Sequence, residues 1–107
     1  MIYVLFEVIV KEAFQDQYLH LASGLRRALE SSPGFLRSER FTSLLDPGKI
    51  LSLSVWEDEE AVNRWRRQAE HQLAQKQGRD LMFESYRITV TTPIRSYTMT
   101  DRDQAPQ

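Results

Sequence analysis

His71 carries the group best suited to moving a proton at neutral pH, because an unperturbed imidazole titrates there. As a general base it would draw a proton from an acidic C–H or O–H. As a helix-end residue it would only bond backbone or Glu70 and complement the helix dipole. Trp65 stands six residues before it, and Trp56 nine further back. Each offers a flat wall for an aromatic substrate, and each equally fits core packing, the ordinary use of tryptophan at helical spacing. Arg79 and Arg87 bring guanidinium groups that grip a phenolate or carboxylate at two points, unless they close ion pairs with Glu84, Glu7 or Glu39. A base, flat walls and a cation are what deprotonation of a planar, acidic ring compound requires. His20 falls off the apolar stripe of its segment and reads as solvent-exposed. Arg64, Arg66 and Arg67 read as a solvated helix face balancing Glu59 and Glu60.

Composition narrows the chemistry further. The 107 residues include no cysteine, which excludes disulfides, thiolate zinc sites and a thiol nucleophile; two histidines are too few for a histidine-rich metal site. Four glycines stand singly, so the glycine-rich turn of a flavin or nicotinamide fold is missing, as are a phosphate loop, a glycosidase carboxylate pair and a Ser-His-Asp context. Fourteen Lys and Arg against fifteen Asp and Glu leave a net charge of −1, which excludes a protein held to nucleic acid by charge. The apolar run Ile2 to Phe6 is too short to cross a bilayer and lacks the flanks of a leader, so a soluble cytoplasmic protein is expected.

Elements follow from hydrophobic period. Ile2 to Val10 is a strand apolar on both faces, as in a sheet covered on both sides. Phe14, Tyr18, Leu21, Ala22, Leu25 and Leu29 make one stripe of a helix over Ala13 to Ser31, ended by Pro33 and Gly34. Phe35 to Leu44 and Ile50 to Trp56 form a hairpin about the turn Asp46-Pro47-Gly48-Lys49. Asp58 caps a second helix striped by Ala61, Val62, Trp65, Ala69 and Leu73, with a looser helical piece over Gln72 to Asp80. Met82 to Thr92 is the fourth strand. Ile94 to Met99 adds a short edge strand, and Thr100 to Gln107 is a polar tail.

This order, strand–helix–strand–strand–helix–strand, predicts an α+β ferredoxin-like βαββαβ fold with both helices on one face of an antiparallel sheet. The other face would carry Leu5, Ile9, Leu51, Leu53 and Val55 or their alternates. An apolar patch of that size calls for a second copy of the chain.

Pro33-Gly34-Phe35, the stretch Ser54 to Ala61, Trp65, Glu70-His71-Gln72-Leu73-Ala74-Gln75, Gly78-Arg79 and Tyr86-Arg87 resemble the antibiotic biosynthesis monooxygenase superfamily, and most of all its small bacterial members. The resemblance spans Ile2 to Met99, a domain of residues 1–99 followed by the tail 100–107. It implies a dimeric α+β barrel, a homodimer joined through the sheet faces, with a pocket between helices and sheet in each protomer. It also implies a cofactor-independent monooxygenase that oxidises a small anthrone- or quinol-like aromatic with O2. In that reading His71 is the catalytic base with Trp65 beside it, and Arg79, Trp56, Phe6 and Tyr86 bind substrate, with no metal or cofactor. Once deprotonated, such a substrate reduces O2 itself, so the protein need only supply a base, exclude water and fix orientation.

The alternative is a non-catalytic small-ligand-binding or stress-associated dimer on the same scaffold. The haem-degrading branch of the superfamily is disfavoured. It needs a histidine ten residues after the tryptophan, where this chain has Gln75, and an asparagine in the first strand, where this chain has Glu7.

Overall fold

The computed structural model describes residues 1–75 and 81–106, with side chains over 1–68 and 81–106. Strand β1 (Ile2–Val10) leads through a 3-10 turn (Glu12–Phe14) into helix α1 (Gln15–Glu30). Then come β2 (Phe35–Thr42), β3 (Lys49–Trp56), helix α2 (Glu59–Gln75) and β4 (Phe83–Thr91). The strands form one antiparallel sheet in the order β2-β3-β1-β4. This is the predicted α+β ferredoxin-like arrangement.

Local signals account for the joints. α1 buries Tyr18, Leu21, Ala22 and Leu29, four members of the predicted stripe. Past its end, Gly34 sits at φ 83°, a left-handed conformation that glycine adopts without strain. A Cβ built there would lie 2.6 Å from the Ala61 Cβ, so the chain needs a bare backbone where β2 passes under α2. The Gly34 carbonyl accepts the Glu57 N–H at 2.8 Å, tying the start of β2 to the end of β3. The Asp58 carboxylate accepts the Ala61 N–H at 2.8 Å and caps α2. In the hairpin turn Asp46 accepts from both Lys49 N–H at 3.0 Å and Gly48 N–H at 3.1 Å.

Strand register decides which residues meet the helices. Val4, Val8 and Val10 of β1 are buried beneath them. Ser54 pairs with Val4 and Ser52 with Phe6, so β3 turns its serines toward the helices and Leu51, Leu53 and Val55 away. On that outer face Leu5 lies opposite Leu53, and Leu5, Ile9, Leu51 and Leu53 are half-buried.

Two expectations change. No strand forms over Ile94 to Met99: residues 92–106 make no regular element. Pro93 offers no N–H, and the segment bonds within itself, Thr98 N–H to the Asp101 carbonyl at 2.7 Å and Ser96 N–H to Gln104 Oε1 at 2.8 Å. The fourth strand begins at Phe83 and not at Met82, since Leu81 and Met82 are helical; the looser helical piece expected over Gln72 to Asp80 falls largely outside the described residues, α2 itself running through Gln75.

Candidate functional site

The apolar core is divided. One cluster gathers Val8, Val10, Tyr18, Leu21, Ala22, Met82 and Phe83, the other Val4, Leu29, Trp56, Ala61 and Val62. Members of both line a cavity of about 170 Å³ between the helices and the sheet. The space exists because small residues stand where large ones would close it. Ser38, Ser52 and Ser54 occupy helix-facing strand positions, and Ala22 sits above them on α1.

The floor has two characters. Toward β1 and β4 it is apolar: Phe6 meets Tyr86 edge-on at 5.9 Å and Phe83 at 6.1 Å, with Ile88 beside Phe6 in register. Toward β3 and β2 it is polar: Arg40 is in register with Ser52, and Ser38 with Ser54. From α1 come Tyr18, Leu25, Arg26 and Leu29; from α2 come Val62, Trp65 and Arg66.

Tyr18 is 5% exposed, its ring edge-on to Phe83 at 5.6 Å. Burial pushes its pKa above the ordinary value, because the phenolate would lose its hydration; the positive charge of Arg40 opposes that shift. The phenol is thus neutral at physiological pH and stands within electrostatic reach of the Arg40 guanidinium.

The predicted site residues divide. Phe6, Tyr86 and Trp65 all line the cavity. Trp56 is fully buried behind Trp65, their rings 6.2 Å apart, and its Nε1–H donates to Ser54 Oγ at 2.9 Å, so its contact is with the core. His71 lies in α2, but its side chain is outside the described part, as is all of Arg79. Arg66 borders the cavity, unlike the purely solvated face expected, whereas Arg64 does pair with Glu60 at 3.4 Å. Glu7 pairs with Lys49 at 3.2 Å instead of with an arginine. His20 is exposed. Sequence reasoning missed Tyr18, Arg40, Ser38 and Ser52. Their available signal was a β3 pattern in which serines alternate with leucines, hydroxyls on one face and hydrocarbon on the other. Among the described residues no group of three or more His, Cys, Asp or Glu side chains is placed to hold a metal ion.

A helix-roofed, aromatic-walled cavity on this sheet order invites comparison with known proteins. The family model for antibiotic biosynthesis monooxygenase matches residues 1–77. The chain belongs to that family. A jasmonate monooxygenase of Pyricularia oryzae is 43% identical over 96 residues, covering 87% of this chain and 45% of its own length. The chain thus spans less than half of that relative. An uncharacterised protein of Bacillus subtilis is 32% identical over 81 residues, covering 76% of this chain and 69% of its own. Among solved structures, a Mycobacterium tuberculosis protein superimposes with a TM-score of 0.77 at 13% identity, covering 91% of this chain and 98% of its own. SnoaB, a cofactor-independent oxygenase from Streptomyces nogalater, superimposes with a TM-score of 0.73 at 16% identity, covering 89% and 94%. At such identities these two likenesses establish the antibiotic biosynthesis monooxygenase fold and nothing finer.

Proposed function

We propose that this chain is a cofactor-independent monooxygenase that oxidises a small ring compound with O2 inside the cavity, working as a homodimer joined through its sheet. The observation that carries the reading is the aromatic-walled space between helices and sheet, which Phe6, Tyr86 and Trp65 all line. Such walls orient a flat ring and keep bulk water from it. In this reaction a base takes a proton from an activated CH2, and the resulting carbanion gives electrons to O2. A C–O bond forms, one oxygen atom stays as a ketone and the other leaves as water. His71 is the proposed base and Arg79 the proposed partner of the developing oxyanion.

Two relatives support an oxygen reaction: one is named a jasmonate monooxygenase and one a cofactor-independent oxygenase. Haem degradation has no support here, since Glu7 is engaged with Lys49 and Gln75 replaces the needed histidine.

An oxygen electrode tests the reading with anthrones, hydroquinones, catechols and jasmonate. Substrate-dependent uptake is the expected result, with one O2 consumed per ketone formed where the substrate offers an activated CH2, as anthrones do. Ligand binding without uptake across the panel would leave the alternative, a non-catalytic ligand-binding dimer, as the better description.

A further inference from the structure

The cavity is built against the usual polarity of a half-buried sheet. Along β3 the residues facing the helices are Ser52 and Ser54, while Leu51 and Leu53 face away; along β2, Ser38 and Arg40 also face inward. The Trp56 indole engages Ser54, but Ser38, Ser52 and Arg40 make no side-chain hydrogen bond among the described residues that would account for them in an apolar core. We infer that the β2 side of the cavity is an anion subsite, in which Arg40, Tyr18 and Ser52 hold the carboxylate or phenolate of a ligand whose apolar body lies on Phe6, Tyr86 and Ile88.

Arg40 is half-buried, and the ion pairs among the described residues, Arg26–Glu30, Lys49–Glu7 and Arg64–Glu60, leave it without a carboxylate. A guanidinium taken partly out of water is unfavourable until an anion or hydrogen-bond acceptor meets it, and its planar fork suits two oxygen atoms. Glu39 borders the cavity too, but it is exposed and in register with Leu53 of the outer face. Tyr18 makes no side-chain hydrogen bond among the described residues and stays protonated, so its O–H is a donor. Arg26, paired with Glu30, and Arg66 are exposed at the rim, where water screens their charge. As a substrate assignment this rests on the oxygenase reading; as a binding site it does not.

Titration calorimetry with 1-naphthoate and its neutral counterpart 1-naphthamide tests it on the purified chain. The carboxylate should bind at least about tenfold more tightly, the range of a charge-assisted hydrogen-bond pair. Arg40→Gln should abolish that preference while leaving naphthamide affinity within about threefold, Arg40→Lys should restore part of it, and Arg66→Gln should keep it. Should Arg40→Gln lose its fold by circular dichroism, Tyr18→Phe decides: a selective loss of naphthoate affinity supports the subsite. Equal affinity for the two probes, binding of neither, or a preference that survives in folded Arg40→Gln or in Tyr18→Phe overturns it. Anion preference without oxygen uptake would overturn the oxygenase reading and leave the subsite standing.

Discussion

At the residue scale, the proposed base His71 and the buried Tyr18 give separate predictions about pH. A general base must be free of its proton, so turnover should rise as pH passes through the histidine range, near neutrality. His71→Ala should lower turnover by about two to four orders of magnitude while the melting temperature stays nearly intact. A fall in stability on the order of 1 kcal/mol with turnover unchanged would assign His71 to the helix end instead. Tyr18 is held protonated by burial, so its folded-state pKa lies above the unfolded 10.0. The folded chain then binds the proton more tightly than the unfolded one, and the stability this contributes is complete below pH 10.0 and is lost as pH rises through the folded value. Melting temperatures measured from about pH 8 to about pH 11 should therefore fall more steeply in the parent than in Tyr18→Phe.

At the element scale, the joint between α1 and β2 is the most constrained place in the fold. Gly34 combines a φ of 83° with an approach of 2.6 Å to Ala61 for any added Cβ. Gly34→Ala should destabilise the protein by about 1–3 kcal/mol, read from urea midpoints, because left-handed strain and a clash with α2 add together. A loss of a few tenths of a kcal/mol would mean that α2 shifts freely, which its buried Ala61 and Val62 oppose. Pro33-Gly34 is legible in sequence as a helix stop. That the same glycine also lets α2 lie against β2 is not, since Ala61 is distant in the chain and becomes a neighbour only when the helix docks.

On the scale of the whole molecule, the outer sheet face holds Leu5, Ile9, Leu51 and Leu53 with neither helix above them. Single apolar residues on a surface are ordinary; this row over two strands, interrupted by the Glu7–Lys49 pair, is what the proposed homodimer would cover. Light scattering at micromolar concentration should give twice the 12.6 kDa chain mass. Leu53→Asp, in register with Leu5 and Glu39, should shift the equilibrium toward monomer by placing a charge in the joined sheets. A monomeric parent would remove the reason for the apolar outer row.

Element order, the stripe of α1, the Asp58 cap and the hairpin turn were legible in the sequence, because each rests on period or on chemistry within a few residues; the family was legible as a resemblance of motifs. Phe6, Tyr86 and Trp65 were also legible as aromatic candidates, though nothing local says that they share one space. Only the tertiary structure decided which aromatic faces the cavity and which is buried. Trp56 and Trp65 look alike in a one-dimensional reading, yet one is sealed by Phe35, Trp65 and Ser54 while the other is left half open. The polar side of the cavity was decided there as well. Arg40 and Ser52 stand on different strands, and Tyr18 on a helix that crosses above them; strand register and helix docking, which no local spacing encodes, bring the three together.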